Sequence, residues 1–69
     1  MESRKNRFNR LASSRTNDII EKIRILGNCS NKSTYEYTEE EIRKIFRAID
    51  KELKSTKAKF KSNKKKFTL

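Results

Sequence analysis

The chain has 69 residues, of which 19 are lysine or arginine and 9 are acidic, so its formal net charge is +10; apolar types supply 32% and charged types 41%. A chain this short holds one small domain at most, and so little apolar material against so much charge leaves part of it outside any packed core. With one glycine, no histidine and one cysteine there is no phosphate-cradling glycine loop, imidazole base, internal disulfide or zinc site of the usual nitrogen and sulfur kind. No enzyme, catalytic residue, metal site, cofactor or small-molecule substrate is therefore expected.

The excess charge is confined to the ends. Residues 1–10 hold Arg4, Lys5, Arg7 and Arg10 against Glu2, and residues 54–69 hold lysines and no acid, while residues 11–53 sum to zero. The basic start is not followed by the apolar region of a secretory signal, and no apolar run approaches the ~18 residues of a membrane span. A cytoplasmic protein with no membrane partner is the expectation.

The first element is a helix over about 8–26. At about 100° per residue Phe8, Ala12, Ile19, Ile23 and Leu26 share a narrow sector, with Thr16 at its edge. Arg15 interrupts that sector, so the helix starts either near Asn6 or only near Ser13 or Ser14, and residues 1–10 are a basic arm or the start of the helix. Gly27 is placed to close the helix in the left-handed conformation. Asp18 and Lys22 have the spacing of a favourable pair.

Residues 27–37 form a long polar connection. Its Asn and Ser side chains are suited to satisfying backbone groups in successive turns, and Cys29 is expected to be a small residue at a helix end rather than a reactive thiol. Tyr35 is two residues from Tyr37, so in an extended segment both rings share one side and cover the end of a core. If Tyr35 points outward beside Asn31 and Lys32, it is a recognition residue instead.

A second helix is expected over about 38–60. Thr38-Glu39-Glu40-Glu41 has the form of a capping box, with the three glutamates at the positive end of the helix dipole. Tyr37 and Ile42 flank the cap as a hydrophobic staple. The apolar stripe runs Ile42, Ile45, Phe46, Ile49, Leu53 and Phe60, with Thr56 on the same line, and Glu39/Arg43 and Glu40/Lys44 have pairing distance. Residues 61–69 are a lysine-rich tail.

The expected fold is therefore all-α: an antiparallel two-helix hairpin over residues 11–60, with a long polar connection and basic, partly disordered termini. Two helices make a poor core. Ile20, Ile25 and Ile45 are the expected partner interface, for self-association into a four-helix arrangement or for docking in a hetero-complex.

Function follows from charge. Arginine binds phosphate bidentately and lysine as a point charge, which makes Arg4, Lys5, Arg7, Arg10, Lys57, Lys59, Lys61, Lys64, Lys65 and Lys66 the candidate contacts to nucleic acid, RNA or DNA. Tyr35 and Phe67 are candidate stacking residues for unpaired bases. No helix-turn-helix fits, since that motif joins its helices by three or four residues. A ribbon-helix-helix reader would carry its strand ahead of both helices, whereas "TYEY" lies between them. A small basic protein bound to nucleic acid or embedded in a nucleoprotein complex is expected, ribosome-associated or of the phage and mobile-element accessory type by analogy. The alternative is a protein-interaction module or inhibitor that docks its hairpin on a larger protein.

Overall fold

The computed structural model describes residues 1–64, with side chains described through residue 61. Over these residues the chain is helical and has no strand: α1 runs Arg4–Gly27, a single 3-10 turn follows at Asn28–Ser30, and α2 runs Glu39–Lys64. The chain divides into two units, Met1–Glu36 and the part from Tyr37 onward, each built on one helix.

Helix α1 starts earlier than its apolar spacing suggests, and two local devices explain why. Ser3 is extended (φ −73°, ψ 164°) and its hydroxyl accepts from the Asn6 amide at 3.0 Å, while its carbonyl accepts from the Arg7 amide at 2.9 Å. Ser3 is thus the N-cap. Just before it, both Glu2 carboxylate oxygens accept from Arg10, from Nε and from Nη2, each at 2.9 Å. This fork-to-fork bond ties the residue ahead of the cap to the second turn and puts a negative charge at the positive end of the helix. Residues 4–10 are therefore the opening turns of α1.

The expected left-handed stop at Gly27 does not occur. Gly27 is right-handed (φ −59°, ψ −26°), and no described residue has positive φ. The helix instead tightens: the Asn28 amide donates to the carbonyls of both Ile25 and Leu26, and the chain passes into the 3-10 turn. Asn31 then redirects it (φ −71°, ψ 104°). Its Oδ1 accepts from the Ser33 amide at 3.0 Å and from the Ser33 hydroxyl at 2.6 Å. Its carbonyl accepts the amides of Thr34 (3.1 Å) and Tyr35 (2.9 Å). An asparagine side chain that mimics a backbone turn does the work assigned to the glycine.

Helix α2 starts as its sequence dictates. Thr38 Oγ1 accepts from the Glu41 amide at 3.1 Å, and Glu41 Oε1 accepts from the Thr38 amide at 2.8 Å, so two orphan donors are satisfied reciprocally. Tyr37 and Ile42 are both half-buried, as a staple requires. The helix continues past the expected end near residue 60 to Lys64. Thr56, on the line of the apolar stripe, donates its hydroxyl to the Glu52 carbonyl at 2.9 Å, which satisfies that hydroxyl within the helix.

Neither unit covers its own stripe, and no described residue is buried. Phe8, Ile19 and Ile23 on α1 and Ile45, Phe46, Leu53 and Phe60 on α2 are exposed by between 37% (Ile45) and 60% (Phe60). Among the described residues, no helix is long and apolar enough to cross a membrane.

Candidate nucleic-acid interface

Four of the expected phosphate contacts lie on the first two turns of α1, and all four are exposed. Arg4, Arg7 and Arg10 are three apart, so their row turns slowly around the helix, with Lys5 on its other side. Arg10 differs from the rest because Glu2 already holds its guanidinium. That bond keeps the Glu2 carboxyl below its ordinary pKa and raises that of Arg10. Among the described residues, Arg4, Lys5 and Arg7 pair with no carboxylate.

At the other end, Lys57, Lys59 and Lys61 belong to the last turns of α2 and are exposed. The helix separates them: Lys57 and Lys61, four apart, share a side, and Lys59 lies across from them. Lys64 is the last residue of α2. Lys65, Lys66 and Phe67 lie outside the described residues.

Tyr35, the other candidate for stacking, is 49% exposed, whereas Tyr37 is half-buried at the mouth of α2. The two rings thus differ in environment despite their spacing, since the Tyr35 amide is drawn into the Asn31 turn. The expected partner residues are all accessible: Ile20 by 43%, Ile25 by 49% and Ile45 by 37%. Cys29 is a free, exposed thiol in the 3-10 turn.

Ion pairing is sparser than the spacing suggests. Glu40 pairs with Arg43, three on, at 3.6 Å, and Glu21 with Arg24 at 3.6 Å. The expected Asp18/Lys22, Glu39/Arg43 and Glu40/Lys44 pairs do not form among the described residues. All the groups concerned are in solvent, where such pairs contribute little.

One set of residues was not legible by chain position. Arg43, Arg47 and Lys54 are exposed along α2, and the two arginines belong to a stretch whose charge sums to zero. The sum hides where on the helix each charge projects. Placing α2 at 100° per residue would have found them. Comparison of the chain with protein-family models, with curated proteins and with solved structures finds no match.

Proposed function

We propose that this is a small, non-catalytic, intracellular protein that binds nucleic acid or forms part of a nucleoprotein complex, with its two helices folding back as an antiparallel hairpin around their apolar stripes. The observation that carries this reading is the unpaired charge at both ends. Arg4, Lys5 and Arg7 on α1 and Lys57, Lys59 and Lys61 on α2 are exposed with no carboxylate partner among the described residues. Exposed cations that are not neutralised locally are matched by a phosphate backbone.

Titration by fluorescence anisotropy against single- and double-stranded oligonucleotides over a range of salt tests this. If about five phosphates are neutralised, log affinity falls against log salt with a slope of roughly −3.5 on single strands and −4.5 on duplex. A slope near zero, or no binding at low salt, overturns the reading.

The exposed stripes favour a second reading, a module that docks on a larger protein. It requires deletion of residues 61–69 to leave partner capture intact, and Ile20→Asp or Ile45→Asp to abolish it. Capture from the native cell with and without nuclease separates the two, because nuclease removes the partners of a nucleic-acid binder only.

A further inference from the structure

Helix α2 sorts its charges by side as well as by position. Taking the middle of the apolar stripe as origin and 100° per residue, Arg43, Arg47, Lys54, Lys57 and Lys61 all fall on one flank, within a sector of about 80°. Two acids share that sector, Asp50 within the row and Glu39 one turn ahead of it. The opposite flank carries Glu41, Ala48, Glu52, Ser55 and Lys59 and is close to neutral. The helix therefore has an apolar strip with a basic flank on one side and a nearly neutral flank on the other, while Glu40, Lys44, Lys51 and Ala58 lie on the face opposite the apolar strip. A shallow depression on the basic side is lined by Arg43, Phe46, Arg47, Asp50, Lys51 and Lys54.

We infer that this basic flank of α2 is a track for the phosphate backbone of double-stranded nucleic acid. The inference rests on the nucleic-acid reading above and assigns to α2 contacts which that reading left to the chain ends. From Arg43 to Lys61 the row is about 27 Å long at 1.5 Å per residue, somewhat less than the ~34 Å of one duplex turn. A helix holds its cations in a fixed line. A duplex presents phosphates at fixed spacing to meet such a line, whereas a single strand bends to any arrangement and gains nothing from it.

The geometry leaves the track usable whatever covers the stripe. Its centre lies roughly 100° around the helix from the apolar residues, so a partner packed on Ile42, Ile49 and Leu53 leaves the cations in solvent. Arg43 is held by Glu40 at 3.6 Å, a surface pair weak enough to exchange for a phosphate.

The test compares two double variants of the full chain with equal net charge. Arg47→Gln with Lys54→Gln removes two charges from the track; Ala48→Glu with Ser55→Glu adds two acids to the opposite flank. All four positions are exposed, and circular dichroism confirms that both proteins keep their helix content. On a duplex oligonucleotide at ~0.1 M salt the track variant should lose affinity by about tenfold or more, with a salt slope shallower by about 1.8. The opposite-flank variant should lose less than about threefold with its slope unchanged. On a single strand the two variants should differ little.

Equal losses on duplex would mean that only net charge matters and would overturn the track while the general binding stands. A single strand as sensitive as the duplex to the track variant would overturn the assignment to duplex. Polyglutamate competing as well as duplex would move the track to an acidic protein. Failure of the parent chain to bind any nucleic acid at low salt overturns the track together with the reading beneath it.

Discussion

Glu2 has two effects at once. Its carboxylate forks onto Arg10, which fastens the start of α1, and it neutralises one of the cations proposed to meet phosphate. Arg10 holds the Glu2 carboxyl below its ordinary pKa. A carboxyl whose pKa is lower when folded contributes stability that is present above the ordinary value and is lost as pH falls through the lowered one. The first turns of α1 are thus fastened at neutral pH and fray in acid. Glu2→Gln should separate the two effects. Amide exchange over residues 4–10 should quicken, and the salt slope for nucleic acid should steepen by about 0.7 on single strands or 0.9 on duplex as Arg10 is released. Unchanged exchange would show that the clasp does not hold the helix, and an unchanged slope would show that Arg10 does not meet phosphate.

At the scale of the element, the two helix boundaries on either side of the connection respond in opposite directions to substitution by alanine. Gly27 is in right-handed helical conformation with nothing within 4 Å of the position a Cβ would take, so Gly27→Ala should stabilise α1 by up to about 1 kcal/mol, since alanine gives up less backbone entropy. Thr38→Ala removes the hydroxyl half of the capping box, the acceptor for the Glu41 amide, while its backbone amide can still donate to Glu41, and should cost α2 about 0.5 to 2 kcal/mol. Helix content by circular dichroism with rising urea checks both signs. A loss at Gly27 would mean that the left-handed stop exists after all.

The same boundaries show which kinds of order are legible in a sequence. The start of α2 is legible because every signal lies within six residues, Tyr37 to Ile42, and each acts on its near neighbours. The start of α1 is not, because the serine cap is followed by arginine and lysine rather than by acids, and because the clasp joins residues eight apart. The stop after α1 misleads for another reason: glycine permits a left-handed turn but does not require one, and Asn31 offered a competing turn through its own side chain. The candidate site was legible at the chain ends, where like charges are neighbours in sequence. It was not legible along α2, where like charges become neighbours only once wound on a helix.

For the whole molecule the controlling fact is that two amphipathic helices leave their apolar stripes substantially exposed. Patches of this kind on a folded chain are sites of association, and sedimentation should find the protein in oligomers, or monomeric and weakly stable until a partner is added. Its melting temperature should rise with protein concentration, because the assembled state is favoured by mass action. A monodisperse monomer that melts cooperatively at micromolar concentration would sink this expectation and would mean that the chain closes a sufficient core alone.

Each helix also carries its own starting device, the Ser3 cap with the Glu2 clasp for α1 and the Thr38 and Glu41 pair for α2. Nucleation is the costly step in making a helix, and here it is eased twice by contacts that span no more than eight residues. The two helices can therefore form separately, on the ~0.1 to 1 μs timescale of helix–coil relaxation. Whatever follows more slowly belongs to the meeting of surfaces that each helix has already formed.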